Sequence, residues 1–244
     1  MGKADLHLHT TVSDGLASVE RLLEYVEHQT DLDVIAVTDH EDAAGGLRAR
    51  ELAAKRGYRV EVIPGAEVTT LQGHLLALFV EEAPKSFRTV ERTLEAIHAQ
   101  GGIAIVPHPM SWLTRSLGQR VIERVVARGE DGVRFDGIEL CNPSPAGLRG
   151  RRKACEGNER WRLPAIGASD AHHLEHVGRG WTEFDGTTAE DLRAAIERGE
   201  TRARMAKYPS FREVGLGRTA LGLVWGYTAT PRKMLRWRKR GVAE

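Results

Sequence analysis

Cysteine is nearly missing from this chain of 244 residues, with only Cys141 and Cys155 present. That excludes a disulfide framework, and both thiols are expected as small buried residues in a reducing compartment. Long apolar runs are missing as well: none reaches the roughly 18 residues that a membrane-spanning helix needs. Excess charge of either sign is missing, since the net charge is +1, so the overall balance singles out no partner. No internal repeat, low-complexity tract or Pro/Ser-rich linker interrupts the sequence. The chain enters a strand-like segment almost at once, which leaves no room for a signal peptide. A cytoplasmic protein is expected.

What is present is ordinary globular composition, 41% hydrophobic and 28% charged. The length suits one domain, because α/β barrels of about this size are common. Short apolar runs at 3–9, 33–38, 60–66, 74–80, 103–106, 136–141, 165–168 and 201–206 predict strands. Between them, 18–28, 41–56, 86–100, 116–128, 146–161 and 188–198 predict helices. Ser18 is placed as an N-cap, and Gly57, Gly101 and Gly199 stand where helices should stop. This alternation implies a largely parallel sheet flanked by helices.

The positions of histidines and carboxylates are the informative feature. In ADLHLHT, Asp5, His7 and His9 are spaced by two, so a regular strand would point all three to one face and Leu6 and Leu8 to the other. Asp39 and His40 then end VIAVTDH, Glu67 ends VIPGAE, His108 ends the run before Pro109, and Asp170 and His172 end AIGASDAH. His74 differs in opening its apolar run rather than closing it. The C-terminal ends of parallel strands converge on one rim, where α/β proteins build active sites. Six of the ten histidines occupy such positions; His28, His98, His173 and His176 are expected to be solvated.

Each residue also has a plainer explanation. A lone histidine after a strand is more often a hydrogen-bonded loop residue, Asp14 fits a turn, and Thr38 and Asp39 fit a helix cap. Those explanations would have to hold at six sites on one rim, and that coincidence favours a metal centre.

In their order the motifs resemble the PHP (polymerase and histidinol phosphatase) domain of metal-dependent phosphoesterases. The matching pieces are D-x-H-x-H at Asp5–His9, S-D-G at Ser13–Gly15, T-D-H at Thr38–His40, G-x-E at Gly65–Glu67, His74 before its apolar strand, H-P at His108–Pro109 and S-D-A-H at Ser169–His172. The V-G-R-G run at Val177–Gly180 also looks familial. The resemblance covers about residues 3–206, which sets a PHP domain at 1–206 and a C-terminal extension at 207–244.

This resemblance implies a distorted (β/α)7 barrel with its metal site at the C-terminal rim of the strands. It implies two or three divalent ions, with zinc, manganese or iron suited to nitrogen and oxygen ligands. His7, His9, Glu67 and Asp170 would hold the first, and Glu67 would bridge to a second completed by His74 and His108. Asp14, His40 and His172 would hold a third, while Asp5 and Asp39 would orient neighbouring imidazoles. Glu67, Asp170 and His172 are the implied catalytic residues. Arg115, Arg149 and Arg179 follow strand ends and are candidates for gripping phosphate.

The implied function is hydrolysis of a phosphomonoester or phosphodiester, with nucleotides or short oligonucleotides as the leading substrates. The alternatives are a histidinol-phosphate-type phosphatase, an amidohydrolase acting on a C–N bond, and a non-catalytic scaffold or polymerase accessory. Nine competent ligand positions argue against the scaffold. Only 33 residues separate His74 from His108, which leaves no room for the helical insertion of nucleotide-cleaving members. Gly215–Ala220 fits a dinucleotide-binding pattern but lies too near the end for the fold such a motif needs. Residues 232–240 (RKMLRWRKR) hold six basic and no acidic side chains. They are expected to form a surface element that associates weakly with anionic membrane or nucleic acid.

Overall fold

The computed structural model describes residues 1–129 and 132–209. The basic stretch, the Gly215 pattern and nearly all of the extension at 207–244 lie outside the described residues. The described strands are β1 (Gly2–Leu8), β2 (Val34–Val37), β3 (Glu61–Thr69), β4 (His74–Leu78), β5 (Ile103–Val106), β6 (Gly137–Cys141), β7 (Ala165–Gly167), β8 (Gly180–Phe184) and β9 (Arg202–Met205). The helices are α1 (Val19–Gln29), α2 (Ala44–Arg56), α3 (Val90–His98), α4 (Gln119–Arg128), α5 (Pro145–Trp161) and α6 (Ala189–Arg198).

Local sequence accounts for the helices. In α1, Val19, Leu22, Leu23 and Val26 recur at helical spacing and are buried, and the Ser18 side chain accepts from the Arg21 amide. The α2 helix stops at Gly57, whose φ of 65° is left-handed. Thr188 and Asp191 start α6 with a reciprocal capping box. Of the two cysteines, neither is fully buried and both are free.

All nine strands form one sheet in the order β7-β6-β5-β4-β3-β2-β1-β8-β9. Its two ends meet. Gly167 of β7 exchanges hydrogen bonds with the Thr182 hydroxyl of β8 at 3.0 and 2.9 Å. A Cβ at Gly167 would fall 2.0 Å from the Trp181 carbonyl oxygen, so glycine permits the nearly closed barrel. The interior is filled by residues such as Ala4, Leu6, Val34, Ala36, Ile63, Leu76, Ile105, Ile166 and Phe184. Helix α6 closes one end through Leu192, Ala195 and Ile196, and its Ala189 amide bonds Glu61 at the start of β3. The opposite end is left for the site. Two outer layers pack α1 and α2 against β2 and β3, and α3 and α4 against β4 and β5.

Two expectations need correction. The sheet is mixed rather than largely parallel: β3/β4, β4/β5, β1/β8 and β8/β9 are antiparallel. The short turn between Thr69 and His74 has no room for a crossover helix, so β4 must return antiparallel. Strand β8 was not anticipated, because GWTEF sets Thr182 and Glu183 between Trp181 and Phe184 and makes no continuous apolar run.

Candidate metal centre

The reversal of β4 explains why His74 opens its strand. In an antiparallel neighbour, the first residue of β4 lies at the same end as the last residues of β3, with Thr69 paired to His74. The rim therefore collects His9 after β1, His40 after β2, Glu67 late in β3, His74 at the start of β4, His108 after β5, and Asp170 and His172 after β7. The turn carrying Asp14 can lie against β1 because a Cβ at Gly15 would fall 2.2 Å from the His9 carbonyl oxygen.

Glu67 sits at the centre, 1% exposed. One carboxylate oxygen faces His74 Nδ1 at 2.7 Å and His108 Nε2 at 3.0 Å. The other faces His7 Nε2 at 3.2 Å, His9 Nε2 at 3.3 Å and His40 Nδ1 at 3.4 Å. Asp170 places one oxygen 3.6 Å from both His7 and His9. Asp14 lies 3.3 Å from His172 and 3.6 Å from His40 and His9. All nine residues expected as ligands are thus brought together.

A cluster so dry must be compensated. Burial pushes the Glu67 carboxyl up, but the surrounding His40, His74 and His7 hold it well below the carboxylate range. The same opposition holds Asp14 down, chiefly through His172 and His40, and Asp170, chiefly through His7. Burial opposes the charge on His9, yet Asp170 and Glu67 raise it to about 10. The backbone is strained at two of these residues, with φ of 29° at His108 and 57° at Asp170.

These residues fit divalent cations. His9 Nε2, His40 Nδ1 and His74 Nδ1 are buried without a hydrogen-bond partner, although each has a carboxylate oxygen within 3.4 Å. Close but misaligned nitrogen and oxygen atoms aim at a common centre rather than at each other. Four groups bring their ligand atoms within 4.8 Å of one another: His9, Asp14, His40 and His172; His7, His9 and Asp170; His7, Glu67 and His108; His40, Glu67 and His74. No thiol belongs to these groups.

The matches to known proteins agree with this arrangement. Residues 5–115 match the PHP domain, and residues 149–201 match the PHP-associated domain. An uncharacterized protein of Methanocaldococcus jannaschii is 34% identical over 152 residues, 57% of this chain and 81% of that protein. The chain belongs to the PHP family. A phosphoribosyl 1,2-cyclic phosphate 1,2-diphosphodiesterase of Eggerthella lenta is 39% identical over 102 residues, 39% of this chain and 38% of that protein. A two-domain protein of Bacteroides vulgatus containing a PHP-like metal-dependent phosphoesterase superposes with a TM-score of 0.66 at 22% identity, over 83% of this chain and 64% of that one. The PHP chain thus spans well under half of that diphosphodiesterase and less than two thirds of the two-domain protein.

Several roles change on inspection of the PHP rim. Asp5 does not orient an imidazole: it accepts from the Ser169 and Gly178 amides at 2.9 and 2.8 Å, and burial pushes its carboxyl up to about 6. A register shift between Asp5 and Leu8 breaks the strand alternation, so Ala4 and Leu6 face the barrel interior while Leu8 joins an outer layer. Asp39 ties down the Thr10–Ser13 loop, accepting both amides and both hydroxyls, and reaches His9 only through Ser13. The carboxylate that orients an imidazole is Glu139, 2.8 Å from His7 Nδ1, which also accepts from the His108 amide and Asn142. It lies in the apolar run GIELC, where a single charged residue at the strand interior was the available signal. Ser116 does the equivalent for His108 at 2.8 Å.

The arginines do not grip the site. Arg115 turns to the Thr70 carbonyl at 3.1 Å, Arg149 lies over the Trp112 ring at 5.3 Å, and Arg179 lines a separate pocket with Lys3 and Trp181. The cleft above the carboxylates has a volume of about 520 Å³, and no lysine or arginine lines it among the described residues. Its far wall includes His173, His176 and Tyr208, so two histidines expected to be solvated border the site. His98 is not solvated either, since both ring nitrogens are bonded. Among the described residues, no helix is long and apolar enough to cross a membrane.

Proposed function

We propose that the chain hydrolyses a phosphate ester with the help of two or three divalent cations, and that its substrates are mononucleotides or short oligonucleotides. The observation that carries this reading is the two-sided environment of Glu67, with three imidazole nitrogens on one oxygen and two on the other. His7, His9, Glu67 and Asp170 would hold one cation, His74 and His108 a second shared through Glu67, and Asp14, His40 and His172 a third. Bound divalent cations supply Lewis acidity towards a phosphoryl group and a nucleophile from water at neutral pH.

The chain's own residues do the rest. Glu139 and Ser116 fix ring orientation at His7 and His108, leaving the opposite nitrogens to face Glu67. Ser144 donates to one oxygen of Asp170 at 3.1 Å and leaves the other towards the histidines. His172 fixes its tautomer by donating from Nδ1 to the Asp170 carbonyl at 3.1 Å, so Nε2 faces Asp14. With no lysine or arginine in the cleft lining among the described residues, charge on the phosphate falls largely to the cations, which favours one phosphoryl group over a polyphosphate chain. The Eggerthella lenta relative, named a phosphoribosyl 1,2-cyclic phosphate 1,2-diphosphodiesterase, supports phosphodiester hydrolysis.

The test is turnover of a panel of phosphomonoesters and phosphodiesters by protein loaded in turn with manganese, zinc and iron. Mononucleotides and short single strands should be cleaved faster than duplex. No hydrolysis of any ester with any of the three metals would overturn the reading.

A further inference from the structure

Tyr208 lies beyond both family-matched segments and beyond the last described strand, yet it lines the cleft. Its ring stacks on His176 with centroids 4.0 Å apart and planes 13° from parallel. Its hydroxyl donates to the Ser169 carbonyl in a short hydrogen bond and lies 3.4 Å from the Asp170 carbonyl. The Asp170 carbonyl is the same oxygen that accepts from His172 Nδ1. One phenol thus touches the backbone on both sides of the residue whose φ of 57° is left-handed. A non-glycine residue in that conformation persists only where its neighbours over-determine it. The described neighbours that bond the Asp170 backbone carbonyl are His172 and Tyr208, and only Tyr208 approaches from outside the S-D-A-H motif.

We infer that Tyr208 is a positioning residue for the metal centre, clamping the Ser169–Asp170 peptide so that the Asp170 carboxylate and the His172 ring face the cations. The inference rests on the reading of the rim as a metal centre. His176 provides the seat: burial and the neighbouring His173 lower it to about 4, so the ring stacked on the phenol is neutral. The consequence for organisation is that a catalytic unit ending at 206 would leave out a part of its own site. Sequence could not show this, because a lone tyrosine just after β9 carries no motif.

Full-length Tyr208→Phe keeps the ring and its stack and removes only the hydroxyl; Tyr58→Phe makes the same change far from the rim and serves as control. Calorimetric titration of metal-free protein with manganese, and the visible absorption of the cobalt-substituted protein, read the coordination directly, without turnover. Tyr208→Phe should weaken at least one manganese site about tenfold or more and alter the cobalt spectrum, while Tyr58→Phe leaves both unchanged. Wild-type affinity with a wild-type cobalt spectrum in Tyr208→Phe would overturn the inference alone. Absence of manganese and cobalt uptake by the unmodified chain would instead overturn the metal reading, and this inference with it.

Discussion

Two places in this barrel bury histidine against carboxylate, and they are built differently. On the outer surface, His98 at the end of α3 bonds the Gly132 carbonyl at 2.9 Å through Nδ1 and Asp136 at 2.8 Å through Nε2. Asp136 in turn accepts from the Ala104 amide and from Arg134. Every polar atom has a partner and the pair is closed. At the rim, carboxylates also crowd around imidazoles, yet three buried ring nitrogens have no hydrogen bond. A buried polar atom left unpaired costs roughly 1–3 kcal/mol, so three together would be a heavy penalty in a structure with no further use for them. The closed pair is explained by stability; the open cluster is explained by a cation.

The largest effect expected from this contrast is on turnover. Glu67→Ala and Asp170→Ala should each lower kcat/KM on the best ester of the panel by at least about a thousandfold, a loss of several kcal/mol of charge stabilisation. His98→Ala should change it by no more than a few-fold. Near-wild-type kcat/KM in either rim variant would erase the distinction between the two places.

The next effect is on metal content and its dependence on pH. Protein purified without chelator should carry two or three divalent ions per chain by elemental analysis. A cation that binds only the folded chain at a hundred times its Kd should stabilise it by about 2.7 kcal/mol, seen as a rise in Tm. In the metal-free cluster Asp170 and Glu67 hold His9 protonated up to about 10. A ligating imidazole must lose that proton, so metal uptake should release protons and affinity should fall on acidification. The metal-free chain behaves oppositely: the raised His9 contributes stability below its unfolded value near 6.5 and loses it as pH rises towards about 10. Fewer than one ion per chain, with none taken up on titration, would place the rim with the closed pair.

Seven of the nine rim residues were legible because each follows or opens a short apolar run, His7 because it shares a face with His9 in a regular strand, and Asp14 only through the S-D-G motif. The fold class was legible from the same alternation, and the six helices fall where periodicity and caps put them. The β3–β4 hairpin escaped because apolar content says nothing of strand direction. The true orienting partners escaped for a related reason. Glu139 looks like any charged residue in a half-buried strand until β6 is set beside β5, and nothing in ADLHLHT shows that the Asp5 carboxylate is taken by the Ser169 and Gly178 amides. The arginines were chosen by distance along the chain, which does not fix where a long side chain goes.

The smallest effect belongs to the closed pair, and it has a definite sign. The hydrogen bond to Asp136 is the largest influence on His98 and raises its pKa above the ordinary value, with burial opposing it. A histidine whose folded pKa is raised contributes its full stability below the unfolded value near 6.5 and loses it as pH rises through the folded one. His98→Ala removes that contribution and leaves the Gly132 carbonyl without its imidazole partner. A hydrogen bond to a charged group is worth about 1.5–3 kcal/mol, so the variant should be destabilised by about that much at pH 6. The loss should shrink towards that of a neutral hydrogen bond, about 1 kcal/mol, at pH 9. Urea unfolding of both metal-free proteins at the two pH values measures it, provided the slope with denaturant is unchanged. A loss that grows with pH would mean that the ring is held neutral at His98, unlike the protonated His9 of the metal-free rim.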